Sequence, residues 1–446
     1  MLNLFNSQNV HPFSEDDFRM IHEFGFNFVR LPMDYRIWIR NGDWTQIDEQ
    51  KAFGELDRAL AFAAKYHIHV CLNFHRAPGY TVAKPSEAMS LWTNPEAQRA
   101  CAMHWAAFAR HFKGVPNERL SFDLFNEPSK IDEKVYEHVV SLVVAAIRKE
   151  DPTRLIIADG LQWGATPCPL LAPLHIAQAT RGYEPHLLTH YQASWRQGSN
   201  TWPVPTWPVV AAYSYLYGPY KQEFRSPLTI TGDFPQGTKI DLIVDTVSAR
   251  GRLVARSDGQ SIFDKSYACP PGQNRTVLND EQTIVLTHPA HEISWSNDEG
   301  DWLTLKSLEI SVNGTASALT LQPKWAFKEP PMSFDPTQPD HPWKSPNSED
   351  RAWLWEHDVV PWQQLQAQGV GVMVGEWGCY DKTPYDVTLR WMEDNLANFQ
   401  RAGWGWALWN FSGSFGILDS NRPGAVYENY EGHRLDRRML DLLQKY

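Results

Sequence analysis

Apolar positions along the first 202 residues follow two alternating patterns. Short apolar runs, FNFVRLP (26–32), HVCLNFH (69–75), LSFDLFNEP (120–128) and RLIIADG (154–160), read as strands. Between them lie longer stretches, 14–25, 49–67, 94–112 and 133–150, which read as helices. In the third of these, Ala97, Cys101, His104, Trp105 and Phe108 recur every three or four residues, so one face of a helix is apolar. Ser14 followed by Asp17 forms a near capping box for the first helix, and Asn94-Pro95 opens the third with a cap and a first-position proline. Strands alternating with helices at this spacing predict a parallel sheet with helical crossovers.

The pattern then changes. From about Phe224 to Phe327 the helical period is almost absent, and short alternating runs such as LTITGDF, KIDLIVDTVS, GRLVARSD and WLTLKSLEISVNG follow one another. Gly, Pro, Asn or Asp separates them, as in an antiparallel β-sandwich. Prolines crowd both borders of this stretch, which marks them as boundaries. After residue 348 the first pattern returns: a helix interrupted near Pro361, a strand at 371–378, a helix at 385–403, a strand at 404–411 and a last helix at 433–446.

Counting strands at 2–5, 26–32, 69–75, 120–126, 154–158, 187–192, 371–376 and 404–409 gives eight. The expected fold is α/β, a (β/α)8 TIM barrel interrupted between strands six and seven by an antiparallel β-sandwich. Residues 1–223 and 327–446 would form the barrel, and 224–326 the inserted sandwich, carbohydrate-binding-like or structural.

Composition narrows the function. The 446 residues carry a net charge of −11, which argues against a nucleic-acid partner. No window approaches 18 consecutive apolar residues, so no membrane span is expected. Five cysteines without a CxxC pair imply neither a disulfide framework nor a zinc ribbon. The first residues lack the basic start and long apolar run of a signal peptide, which leaves a cytoplasmic protein or a secreted one whose leader is absent. Twenty tryptophans among 57 aromatic residues point to surfaces built from flat rings. His288, His291 and Glu292 sit close in sequence but lack a clear third ligand, so neither a metal nor an organic cofactor is expected.

In a barrel of this type the C-terminal strand ends carry the active site. Read in order they offer Arg30, His75, Asn126-Glu127, Asp159, His190-Tyr191, Glu376 and Trp409. Two carboxylates on facing strands, Glu127 and Glu376, are what cleavage of a glycosidic bond needs: an acid for the leaving oxygen, and a nucleophile or base for the anomeric carbon. Arg30 and His75 would hold the nucleophile, Asn126 would meet a sugar hydroxyl, and Trp409 would floor the ring. Asp159 reads as a cap for the turn that follows it.

The segments SFDLFNEP, GEWG, FVRLP, the NFH strand end and WALWNF resemble glycoside hydrolase family 5, the cellulase-like retaining β-glycosidases, over about 1–200 and 340–446. The resemblance implies Glu127 as acid/base and Glu376 as nucleophile. It also implies Asn126, Arg30, His75, His190, Tyr191 and Trp409 around them. The family usually shows His-x-Tyr at strand six, whereas His190 and Tyr191 are adjacent here, leaving Tyr191 or Gln192 for the tyrosine role.

Trp163, Trp195 and Trp377 lie in strand-end loops and could stack on sugar rings. The expected activity is retaining hydrolysis of a β-1,4-glucan or related oligosaccharide. An exo-acting β-mannosidase or β-glucosidase is the alternative on the same barrel, and a non-catalytic carbohydrate-binding protein the alternative of another class. The expected partner is an oligosaccharide or polysaccharide.

Overall fold

Seven parallel strands pair in chain order: Phe28–Asp34, His69–Ala77, Leu120–Asp123, Ile156–Asp159, Ala177–Gly182, Val372–Trp377 and Trp406–Leu408. The computed structural model describes residues 13–338 and 342–446, so the strand expected at 2–5 lies outside the described residues. The strands form a nearly closed barrel. Its two edges, Phe28–Asp34 and Trp406–Leu408, flank a cleft of ≈ 490 Å³ lined by Phe24, Phe28, Trp406 and Phe411, among others.

The helices form where the apolar spacing placed them. Glu15–Glu23 begins with a complete capping box between Ser14 and Asp17. Pro95–His111 begins on Asn94, whose side chain accepts from the Glu96 and Ala97 amides. That helix buries Ala97, Cys101, His104, Trp105 and Phe108. Each large apolar side chain so buried contributes about 1.5–3 kcal/mol. The segment around Pro361 runs on through a wide turn at Trp355–Val359, where the proline lacks the amide an α-helical bond would require.

The sixth strand lies earlier in the chain than expected. The run at 187–192 is not a strand: His186–Thr189 makes a single helical turn. The strand is Ala177–Gly182, between Ile156–Asp159 and Val372–Trp377. Its sequence, AQATRG, hides it from an apolar-run search because buried Gln178 and Thr180 occupy it. Gln178 is tolerated there because its amide is matched, accepting from the Cys168 amide at 2.9 Å and donating to the Cys168 carbonyl at 2.8 Å.

The chain divides into two compact units, Met1–Thr206 with Arg351–Tyr446, and Trp207–Asp350. The second holds two sheets, antiparallel except where Leu228–Phe234 pairs in parallel with Met332–Phe334. One joins Arg275–Val285, Lys239–Ser248, Trp302–Val312 and Thr315–Thr320, with Tyr215–Tyr217 beside Trp302–Val312. The other joins Gln260–Ala268, Arg250–Ser257, Ala290–Gly300, Leu228–Phe234, Met332–Phe334 and Trp343–Lys344. Alternate residues, among them Ile230, Leu242, Leu253, Trp295, Leu305 and Ile310, fill the core between them. The unit runs wider than 224–326 because Tyr215–Tyr217, Met332–Phe334 and Trp343–Lys344 pair with its sheets. No helix among the described residues is long and apolar enough to cross a membrane.

Candidate active site

The strand ends bring four carboxylates and two guanidiniums into one buried network. Arg30 donates through Nε to Asp123 at 2.7 Å, through Nη1 to Glu376 Oε2 at 3.1 Å and through Nη2 to Asn126 Oδ1 at 3.1 Å. Arg181 donates through Nη2 to the same Asn126 oxygen at 3.1 Å and through Nε to Glu127 Oε1 at 3.3 Å. Both Arg181 Nη atoms engage Asp159, with Nη1 at 3.0 Å from Oδ1. Each glutamate thus has its own guanidinium, and the two guanidiniums share Asn126. The second oxygen of Glu376 accepts from the Tyr183 hydroxyl at 2.7 Å.

Glu127 sits in a left-handed backbone conformation, φ 52°, which a side-chain-bearing residue adopts only when held. It is held from both sides. Its amide donates to Asp159 Oδ2 at 2.8 Å, and its carbonyl accepts from the Tyr80 hydroxyl at 2.6 Å. Tyr80 in turn accepts from the Ser129 amide at 3.1 Å. The NEP turn is therefore fixed at its residues 126–129, with the carboxyl of Glu127 aimed at Arg181.

The electrostatics divide the two glutamates. Burial and the charge of Glu376 push Glu127 up to about 7, against the pull of Arg181. Burial also raises Glu376, but Arg181, Arg30 and the Tyr183 hydrogen bond oppose it. Glu376 receives charged or hydroxyl donors on both oxygens at 3.1 and 2.7 Å, whereas Glu127 receives one at 3.3 Å. A single shared proton therefore belongs on Glu127. Burial, and then the neighbouring arginines Arg30, Arg181 and Arg76, push His75 down to about 3, so its ring is neutral at working pH.

Among the described residues, buried site atoms without a hydrogen-bond partner include Asp123 Oδ1 and two nitrogens, Asn126 Nδ2 and His75 Nδ1. An orphaned buried donor costs free energy unless a ligand satisfies it, so both nitrogens mark positions where a polar substrate group fits. The His75 ring stacks on Trp409, centroids 5.6 Å apart and planes 30° off.

The structure brings together Arg30, His75, Asn126, Glu127, Glu376 and Trp409 as the sequence reading expected. Others fall differently. Tyr191 does not hold Glu376; Tyr183 does, because the strand ends at Gly182 and not at 192. Arg181-x-Tyr183 keeps the spacing of the family's strand-six His-x-Tyr, with arginine at the first position. His190 stands behind Tyr183, ring centroids 5.1 Å apart, and Gln192 donates to the Tyr191 hydroxyl. Trp377 does not face the strand-end mouth. Alternation along Val372–Trp377 turns it opposite to Glu376, and it is fully buried against Trp391, Phe399 and Trp406. Asp159 is not a cap: it binds Arg181 and the Glu127 amide, and the next helical turn has no side-chain cap. Trp163 and Trp195 are 41% and 56% exposed. Trp163 donates its amide to the Pro128 carbonyl beside Glu127, while Trp195 packs on Tyr380 and His190.

Residues 3–207 match the family model described as cellulase, glycosyl hydrolase family 5. Endoglucanase C of Acetivibrio thermocellus is 29% identical over 202 residues, which are 44% of this chain and 58% of that protein. Cellodextrinase A of Ruminococcus flavefaciens is 26% identical over 194 residues, 41% of this chain and 54% of that one. The chain thus spans little more than half the length of these relatives. Among solved structures, one described as a glycoside hydrolase superposes with a TM-score of 0.65 at 29% identity, covering 100% of this chain and 96% of that one. Endoglucanase Cel5A of Thermotoga maritima shares the fold, with a TM-score of 0.57 at 15% identity, over 99% of this chain and 96% of that one.

Proposed function

We propose that this chain, whose residues 3–207 match the cellulase model of glycosyl hydrolase family 5, is a cellulase-like member of that family and hydrolyses β-1,4-linked glucan or related oligosaccharides with retention of anomeric configuration. The observation that carries this reading is the unequal support of the two glutamates: Glu376 is clamped between Arg30 and Tyr183 at 3.1 and 2.7 Å, whereas Glu127, pushed up to about 7, accepts from Arg181 at 3.3 Å.

In the first step a Glu376 oxygen bonds to the anomeric carbon as the bond to the leaving oxygen breaks. The Glu127 proton passes to that oxygen. In the second step water gives a proton to Glu127, its oxygen bonds to the anomeric carbon, and the ester to Glu376 breaks. Asn126 Nδ2, free to donate, takes a sugar hydroxyl and strengthens that contact as positive charge builds on the ring. Trp409, braced by His75, offers a flat face for the sugar C–H groups. Exposed Trp163, tied to the turn that carries Glu127, and Trp195, packed near Tyr183 through His190, extend such faces away from the cleaved bond.

The inserted sandwich fits an accessory sugar-binding role. On it, Tyr215, Trp302 and Trp325 pack edge to face with centroids 5.2 to 6.4 Å apart, and Trp325 stays 52% exposed. The experiment that tests the proposal is proton NMR of early products from cello-oligosaccharides. It should record β-anomers first. α-Anomers first would refute retention, and no cleavage of any β-linked glucan or aryl β-glycoside would refute the activity.

A further inference from the structure

Arg181 occupies a berth built for it. A Cβ on Gly164, whose φ is +84°, would lie 2.6 Å from Arg181 Cγ, and a Cβ on Gly375 would lie 2.8 Å from its Nη1. Both positions must stay bare for the guanidinium to enter. Once there it is fixed on three sides: by both oxygens of Asp159, by Asn126 Oδ1 and by the Thr180 carbonyl. Asp159 also accepts from the Glu127 amide, so one carboxylate locks both the arginine and the backbone of the glutamate it faces. The remaining donor, Nε, points at Glu127 Oε1.

We propose that Arg181, locked by Asp159, is the positioning residue that stabilises ionised Glu127 in the second half of the reaction. This rests on the reading of Glu127 as acid/base. One negative charge changes hands during the cycle. Before the first step it resides on Glu376, held by Arg30 and Tyr183. When Glu376 becomes an ester, the charge has moved to Glu127, whose proton left with the sugar's oxygen. Arg181 is the guanidinium bonded to Glu127 and waits there throughout.

The groups facing Glu127 come from each surrounding strand or its end: Arg30, Tyr80, Asp159, Arg181, Tyr183 and Glu376. Of these, Glu376 and Asp159 oppose ionisation of Glu127, while Arg181 and Arg30 favour it. Esterification removes the Glu376 charge and leaves Arg181 in place. Glu127 then becomes easier to ionise at the moment it must act as a base.

The test is Arg181→Gln with an activated aryl β-glycoside, whose leaving group needs little protonation. Deglycosylation should slow about 10- to 100-fold, the range for losing a bond to a charged group. A burst of aryl alcohol should appear, and intact-mass measurement should show glycosyl-enzyme accumulating. On an unactivated oligosaccharide, where the leaving oxygen needs the proton, the basic limb of kcat/KM should move up by about one pH unit, because removing the cation raises Glu127 in the free enzyme. Arg181→Lys, which keeps the charge but loses the fork, should shift the limb less in the same direction; it carries the test if the glutamine variant does not fold. An unmoved limb with no burst would overturn the proposal. Full turnover by Glu127→Ala would instead overturn the acid/base reading beneath it.

Discussion

The Tyr183 hydroxyl donates to Glu376 Oε1 at 2.7 Å, across 193 residues of sequence that include the whole inserted sandwich. With Arg30 on the other oxygen, it leaves the carboxylate little freedom to rotate and favours its ionised form. Tyr183→Phe removes the bond and little else. It should lower kcat/KM about 10- to 100-fold, the equivalent of roughly 1.5–3 kcal/mol for a bond to a charged group. The acidic limb of the pH–rate profile should rise, because the hydroxyl no longer lowers Glu376.

The pH dependence follows from the two glutamates. In the proposed mechanism Glu127 carries its proton when substrate arrives, and burial with the Glu376 charge pushes it to about 7. Activity should therefore fall as pH rises through about 7. Glu376 must be ionised, and burial raises it, so the acidic limb should lie above the ordinary glutamate value of about 4.3. His75, pushed down to about 3, should add no limb near 6.5. A kcat/KM profile on an unactivated substrate, where protonation of the leaving oxygen matters, measures all three.

Trp163 and Trp195 should separate from Trp377. Alanine at either exposed position should raise KM for longer oligosaccharides about 5- to 10-fold, roughly 1 kcal/mol of lost stacking, and change turnover of a small aryl glycoside little. Trp377→Ala should instead cost about 3–5 kcal/mol of stability, since its ring is fully buried. Oligosaccharide kinetics and thermal unfolding of the same three variants distinguish the roles.

Much of this was legible in the chain. Helices announced themselves through spacing and caps, and the sandwich through alternation and turns. Arg30, His75, Asn126, Glu127, Glu376 and Trp409 were readable because each lies in, or within a few residues after, a strand marked by a largely apolar run. Ala177–Gly182 was not, because buried Gln178 and Thr180 satisfy themselves by hydrogen bonds that a hydropathy pattern cannot reveal. Missing that strand hid Arg181 and Tyr183 together. The Arg-x-Tyr spacing at 181–183 was the available signal. Trp377 misled because adjacency to Glu376 in sequence means the opposite face in a strand.

The sandwich surface makes its own forecast. Trp325→Ala should weaken retention on insoluble or soluble β-glucan at least several-fold, while kcat/KM for an aryl glycoside stays within about twofold, because remote contacts act on binding rather than on the chemical step. Affinity electrophoresis beside the aryl glycoside assay provides both numbers. Unchanged retention would assign the ring cluster to packing alone.

Glu376→Ala removes the proposed nucleophile and leaves the rest of the site in place. With an activated aryl β-glycoside, turnover should fall by roughly 10³- to 10⁶-fold, as for loss of a nucleophile. Added azide should restore it, entering the space of the missing carboxylate and giving the α-glycosyl azide, identified by NMR. Wild-type kinetics in Glu376→Ala, or a β-azide as the rescued product, would contradict the assignment of Glu376 as nucleophile.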